Sequence, residues 1–401
     1  MSIVDSLGSL HERVTDIRSA STHRLATFEI ADLLAVPEAA WADLACRAIE
    51  PNPFFHPTWA RAVALHAEGK SGARALLAWD APARTRLIGL LPVVSAWRAL
   101  RIPIPVFVAW QAYAPLTTPL FDRDMVDTAA RGLIAAAAKA GAMALLLPML
   151  AEEGAAASAL RGAIAEFNLA PYAFDRHQRA RLDGTQDADV AINSLGAKKV
   201  KELRRQRNRL ADGGDVAFKI AAASEETAAA LEAFLSLEAA GWKGRSGTAL
   251  VRKAGDSAFI RSAVPDMAAS GAAEMATLSC GDAVVAAGVL LRHLRRAYFF
   301  KIAYDESAAK TSPGVQLTLD ITRRLCADGA IDDADSTAMT GHPMIDHIWR
   351  SRLAVSDLLL PTQAGRLPLE LFAALIGARS TLYGAARSIF HFVRPLKGRH
   401  P

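Results

Sequence analysis

Short apolar runs bounded by turn residues alternate along this chain with longer stretches of helical period, and the order of these elements occurs twice. In the first half, Arg74 to Trp79 (RALLAW) and Arg86 to Val94 (RLIGLLPVV) read as strands on either side of a turn at Asp80 and Pro82. In the second, Glu274 to Cys280 (EMATLSC) and Ala283 to Arg292 (AVVAAGVLLR) flank Gly281-Asp282. Each hairpin has a glycine inside its second strand, Gly89 and Gly288, where a bulge or a close backbone approach is the usual reason. Both halves continue through a further strand into a helix of about four turns. These helices start near Asp124 and near Pro313, and each leads to a short buried strand, Ala142 to Leu147 and Ile331 to Asp335.

A meandering antiparallel sheet followed by a helix and a returning strand is an α+β unit, and its repetition predicts tandem domains, each a mixed, mostly antiparallel sheet flanked by helices. The polar, turn-rich stretch Leu182 to Asn193 (LDGTQDADVAIN) is the expected boundary. The division is then an N-terminal extension over 1–22, domains over 23–185 and 186–366, and a C-terminal helix over 367–401. That last segment puts Leu371, Phe372, Leu375, Ile376, Leu382, Tyr383, Ala386, Ile389, Phe390 and Val393 on one stripe and ends in Arg387, Arg394, Lys397 and Arg399.

Charge changes the picture at one place. Lys198 to Arg209 reads KKVKELRRQRNR, seven basic residues against one acid, so this run carries +6 of a chain whose net charge is +5. The remainder is almost neutral. At helical pitch Val200, Leu203 and Leu210 share a side while Lys201, Arg204, Arg205 and Arg209 spread over the others, closed by Asp212-Gly213-Gly214. So focused a field suits a polyanion such as a pyrophosphate or an RNA backbone. A solvated surface helix fits the pattern equally well.

Cys46, Cys280 and Cys326 are too few and too dispersed for a disulfide framework or a zinc site, and no HExxH or Cys-x-x-Cys spacing occurs, so no metal is expected. The first residues have early acids and no apolar core, unlike a signal peptide, and the apolar stretch Leu133 to Leu150 is broken by Lys139, Gly141 and Pro148. The expectation is a cytoplasmic protein, with peripheral membrane contact through the C-terminal helix left open.

The order LRRQRNRL, then LEAAGWKGRSGTAL (Leu237 to Leu250), AAGVLL, YFFKIAYDESAAKTSPGVQL (Tyr298 to Leu317), and DS followed by HPMIDHIW resembles the GNAT-fold acyltransferases of the FemAB-like group, relatives associated with cellulose and exopolysaccharide synthesis. The likeness is strongest from Ser194 to Leu360. Weaker echoes are NPFFHPTW (Asn52 to Trp59) and YAPLTTPLF (Tyr113 to Phe121). The resemblance implies tandem GNAT-like domains and transfer of an acyl or aminoacyl group to an amine or hydroxyl. It also implies that Lys310, Thr311, Ser312, Gly314 and Gln316 occupy the place of the loop that holds the donor's pyrophosphate, although only half of the usual glycine pattern is present.

Residue chemistry supports an anion site there. Ser312 can cap, Pro313 suits the first helical position, and Gly314 admits close backbone approach at a positive helix end. A second cluster is Glu238, Trp242, Lys243 and Arg245, in which Gly241, Gly244 and Gly247 loosen a helix end into a loop that could fold over a substrate. Arg204, Arg205 and Lys301 complete the substrate-binding set. Candidates for acid and base are Glu238, Asp335, His342 and Tyr304. With no GxSxG elbow and no locally partnered cysteine, direct attack is the simpler chemistry. Phe55, Trp59, Trp110 and Tyr113 line either the interdomain crevice or the first half's core.

These features lead to acyl-CoA-dependent transfer to a small-molecule or glycan-precursor acceptor, in envelope or polysaccharide metabolism. The alternatives are aminoacyl transfer from tRNA, and a non-catalytic module that binds nucleic acid or membrane. Oligomeric state is not legible in the sequence.

Overall fold

The structure is a computed structural model, and it describes residues 26–362 and 369–378. The proposed N-terminal extension lies outside these residues, as does the C-terminal stripe from Leu382 onward with its basic end. The first half runs β1 (Thr27–Asp32), α1 (Glu38–Cys46), α2 (Pro57–His66), β2 (Arg74–Trp79), β3 (Leu87–Ser95), α3 (Ala96–Leu100), β4 (Val106–Ala109), β5 (Leu120–Phe121), α4 (Val126–Lys139), β6 (Ala144–Ala151), α5 (Ala155–Ala165) and β7 (Tyr172–Asp183). The second runs α6 (Ala188–Asn193), α7 (Ala197–Ala211), β8 (Val216–Ala221), α8 (Ser224–Ala240), α9 (Trp242–Ser246), α10 (Ala254–Ala269), β9 (Ala273–Cys280), β10 (Ala283–His293), β11 (Arg296–Tyr304), α11 (Pro313–Cys326), β12 (Asp333–Asp335), α12 (Ile345–Ile348) and β13 (Ser351–Pro361). A last helix, α13, spans 369–378.

The predicted hairpins form at nearly the predicted bounds, and both returning strands begin two residues later than expected. Close approach explains both strand glycines. A Cβ at Gly89 would lie 3.2 Å from the Ala129 Cβ on α4, and one at Gly288 would lie 2.8 Å from the Phe299 ring. The basic helix forms with Leu203 and Leu210 buried.

The sheet is continuous, ordered β1-β2-β3-β4-β6-β13-β7-β12-β11-β10-β9-β8, with β5 pairing β3. The order contains an exchange. The last strand of each half lies beside the sheet of the other, β13 against β6 and β7 against β12, with β7 and β13 antiparallel at the centre. Leu182 and Asp183, expected in a turn, are therefore the ladder-bonded end of β7, and Ala188 to Asn193 is a helix. At the exchange the buried Arg179 of β7 pairs with the buried Asp335 of β12 and donates to the Pro115 carbonyl at 2.7 Å.

A shared core backs this sheet. The Trp59 ring on α2 meets Phe259 and Phe300 of the other half edge-on, each with centroids 5.0 Å apart, so the first-half aromatics Phe55 and Trp59 are core at the junction. On α13, Phe372, Ala373 and Ile376 pack against β4 and β6, while Leu371 and Leu375 from the same predicted stripe are exposed. No helix among the described residues is long and apolar enough to cross a membrane.

Candidate functional site

Strands β11 and β12 are parallel and hydrogen-bonded only as far as Tyr298 and Asp335. Beyond that pair they diverge, and a cavity of about 400 Å³ opens between Phe299 to Ile302 on one side and Ser336 to Met339 on the other. Parallel strands that part at their C-terminal ends are where open α/β sheets place ligands. Thr337 stands at the fork in a left-handed conformation (φ 51°), and its hydroxyl donates to the Phe299 carbonyl at 2.8 Å.

Lys243 and Lys301 reach this cavity from α9 and β11, with His342 on its far wall. Both ammonium groups share the carboxylate of Glu238, whose Oε1 lies 3.2 Å from the Lys243 Nζ and 3.7 Å from the Lys301 Nζ. The other carboxylate oxygen accepts the Leu250 N–H at 2.8 Å. Burial, reinforced by Lys243, pushes the Lys301 ammonium below its ordinary pKa against the pull of Glu238. Glu238 is itself enclosed, and its two oxygens are committed to the lysines and to the Leu250 N–H. A smaller recess adjoins the cavity through Lys243 and Ile302 and adds Tyr304 and Trp242.

The Gly241 to Gly247 segment differs from the expected loop. Trp242 to Ser246 closes a short helix, because Gly247 supplies the left-handed terminus (φ 77°) and a Cβ at Gly244 would lie 1.8 Å from the Ala239 carbonyl oxygen. Glu306, which carries no local sequence signal, fastens this helix to the chain leaving β11. It accepts the Trp242 N–H at 2.6 Å and pairs with Arg245 at 2.5 Å. Only spacing to Arg245 across 61 positions would have flagged it, and sequence does not show such pairs.

A short turn, Glu306–Thr311, carries the chain into α11. Pro313 occupies the first helical position as expected. Ser312 does not cap with its side chain. It adopts the left-handed conformation (φ 52°), and its carbonyl accepts the Val315 and Gln316 N–H groups at 2.9 and 3.1 Å. Gly314 is needed for a different reason from the one expected, since a Cβ there would meet the Tyr304 ring at 3.0 Å. Thr311 turns back to the Ala308 carbonyl at 2.7 Å, and Lys310 is exposed beside it. Buried Gln316 donates to the Leu203 carbonyl at 2.9 Å, which makes it the bolt between α11 and the basic helix α7. The concentrated positive charge thus lies against the start of α11, a combination that favours an anion.

The remaining candidates scatter. Arg204 and Arg205 are exposed, and Arg205 is paired with Glu202 at 2.7 Å. Asp335 is enclosed by Arg179 and the Thr337 N–H, which commits both oxygens within the sheet. The His342 Nδ1 accepts from the Met344 and Ile345 N–H groups at 3.3 and 3.4 Å, leaving its other nitrogen as the donor in a ring that lines the cavity. Burial lowers its pKa, so the neutral ring prevails. The sequence marks Tyr113 only as an aromatic of the crevice or the core. Its hydroxyl bonds Asp256 on α10 and is held well above its usual pKa by burial and by that carboxylate, so a first-half side chain enters the polar cluster around Glu238. Among the described residues no group of three or more His, Cys, Asp or Glu side chains could hold a metal.

Comparison with known proteins agrees with this architecture. Residues 197–339 match the family model described as an acetyltransferase (GNAT) domain. Among solved structures, the C-terminal domain of a protein named as a lysylphosphatidylglycerol synthetase from Agrobacterium fabrum superposes with a TM-score of 0.53 at 13% identity, covering 86% of this chain and 95% of that one. FemX superposes with a TM-score of 0.53 at 8% identity, covering 85% of this chain and 98% of that one. No curated protein matches the sequence. The fold is a tandem GNAT-like arrangement, and residues 197–339 of its second half are similar to an acetyltransferase (GNAT) domain.

Proposed function

We propose that the second half transfers an acyl group from acyl-CoA to an amine or hydroxyl of a small-molecule or glycan-precursor acceptor in cell-envelope or polysaccharide metabolism. The observation that carries this reading is the cavity at the β11/β12 fork, bordered by a lysine pair and lying on the same strand that leads into the α11 anion site. The start of α11, Lys310 and the cations of α7 are suited to the donor's pyrophosphate, and the apolar walls of the fork to its uncharged arm. Glu238 is a positioning residue that holds Lys243 and Lys301 at the cavity. Lys301, with its ammonium destabilised, supplies the neutral amine that takes the proton of the attacking acceptor. Lys243 and the His342 N–H lie where charge on the acyl oxygen can be met. Tyr304, on the wall toward α11, returns a proton to the departing thiolate.

Calorimetric titration with acetyl-CoA tests the reading. Wild type should bind, and Ala338→Trp, which fills the fork from a half-buried position, should abolish binding without unfolding the chain. Equal affinity in both would remove the donor from this cavity.

A second reading is favoured by the contact of α7 with α11: an aminoacyl-tRNA donor whose backbone follows the exposed cations of α7 into the same fork. The same fold in FemX is compatible with it. The two readings separate by salt dependence, as argued below.

A further inference from the structure

The first half has a fork of its own. Strands β4 and β6 are parallel and paired from Val106–Ala144 to Val108–Leu146, then part around a cavity of about 280 Å³. Its body is apolar, with Val94, Val108, Leu146 and Pro148 among its walls. Asp357 of β13, Lys70, Arg98 and Ile376 of α13 also line it.

In the sheet order this fork is set apart from the β11/β12 fork by β13 and β7. Strand β13 is antiparallel to β6 and β7, and β7 is antiparallel to β12, so β6 and β12 point in opposite directions; in the register of β13 the two forks open toward each other, from Leu359 and from Ser351. From β6 to β12 the sheet spans three strand spacings of ~4.8 Å.

This fork does not share the other's anion site. The turn entering α4 is filled by a carboxylate of the protein itself. Asp122 is fully buried, accepts the Asp124 N–H at 3.0 Å, and is paired with Arg47 and, at 2.6 Å, with Arg86. A pyrophosphate at this helix start would have to displace that pair, so the first half takes a ligand without one.

We infer that the β4/β6 fork is a second binding site, for a small zwitterion of amino-acid type, with its ammonium on Asp357, its carboxylate toward Lys70 and Arg98, and an apolar side group against the β4 and β6 walls. The charges are the argument. Asp357 is mostly enclosed, its Oδ1 accepts only the Met149 N–H at 3.0 Å, and no cation is ion-paired with it among the described residues. Burial lifts its pKa to about 6, the Met149 N–H opposes this, and from β7 Asp175 adds to the rise while His177 counters it. A carboxylate so placed gains from an incoming ammonium. Lys70 is exposed with no carboxylate at ion-pair distance among the described residues, and Arg98 spends its guanidinium only on the Ser71 and Gly72 carbonyls. The cavity volume suits a molecule of about ten heavy atoms rather than a nucleotide.

Calorimetry of the full chain with L-leucine, L-leucinamide and N-acetyl-L-leucine tests this. Leucine should bind, and the amide and the N-acetyl derivative, each lacking one charge, should bind about tenfold or more weakly. Asp357→Asn and the surface change Lys70→Glu should each weaken leucine by a similar factor while acetyl-CoA affinity stays unchanged, and retained acetyl-CoA binding certifies folding. No leucine binding by wild type, equal binding of N-acetyl-leucine, or full affinity in both variants would overturn the proposal. Loss of acetyl-CoA binding by wild type would instead count against the second-half reading and leave this one standing.

Discussion

Glu238 and Lys301 divide a task that either could perform alone in a more exposed site. Burial, reinforced by the second ammonium on the same enclosed carboxylate, pushes the Lys301 ammonium below its ordinary pKa and favours its neutral form. Lys301→Gln should therefore lower kcat by about 10²–10⁴ with acetyl-CoA affinity nearly intact. Glu238→Gln removes the charge that raises the Lys301 pKa, so the acidic limb of the kcat profile should move to lower pH. A limb that stays where it is in this variant would take the base away from Lys301. Gly314→Ala asks a separate question. Its added Cβ must push the Tyr304 ring by a few tenths of an ångström, so catalysis should suffer more than donor affinity, as comparison of kcat with the calorimetric Kd would show.

At the scale of elements, the sequence was most legible where one residue type has one physical use. Alternating apolar runs around Gly281-Asp282 could only be a hairpin, and Pro313 after a strand could only open a helix. The strand exchange was not legible, because β7 is largely exposed along its first residues and reads as polar chain, while its partners lie more than a hundred positions away. The fork followed the same rule. Tyr304 and Lys243 were found from local motifs, whereas Glu306, Arg179 and Thr337 gain their roles from contacts across the fold. The basic helix α7 was visible at once as charge, and its bolting to α11 through Gln316 and Leu203 was not. That contact makes salt the discriminating variable. If tRNA is the donor, RNA affinity should fall by about 0.7 log units per log unit of salt for each phosphate neutralised, and Arg204→Gln with Arg209→Gln should flatten the slope. If acyl-CoA is the donor, at most one or two of these cations are engaged. The slope of acetyl-CoA binding is then shallow, and generic RNA competes poorly.

The whole molecule is sewn together at two buried polar places, and both make its stability conditional. Arg179 spans the exchange, and Arg179→Met would leave Asp335 enclosed without its cation, a loss of about 3–5 kcal/mol that urea unfolding would register for both halves at once. The other place is the His56–His293 pair between the halves, with ring centroids 6.4 Å apart. The His293 Nδ1 accepts the Asn52 N–H at 2.7 Å, its other nitrogen meets the Ala45 carbonyl at 3.0 Å, and burial lowers both histidines to about 4. In the unfolded chain they titrate near 6.5. Between these values the unfolded state binds more protons, so stability rises with pH, is complete above about 6.5, and erodes as pH falls through about 4. Asp357 works in the opposite sense, because a folded pKa of about 6 lets it accept a proton before the unfolded chain does, and Glu50, raised by burial, acts with it, so the two partly offset the histidines. The melting temperature should therefore drop between pH 6.5 and 4, well above the range where the Asp–Arg pairs protonate. His293→Gln keeps an acceptor and a donor at that position but cannot titrate, so it should lose some stability at neutral pH and show a flatter decline. A variant whose melting temperature falls with pH as steeply as the wild type would place the acid sensitivity in groups other than this pair.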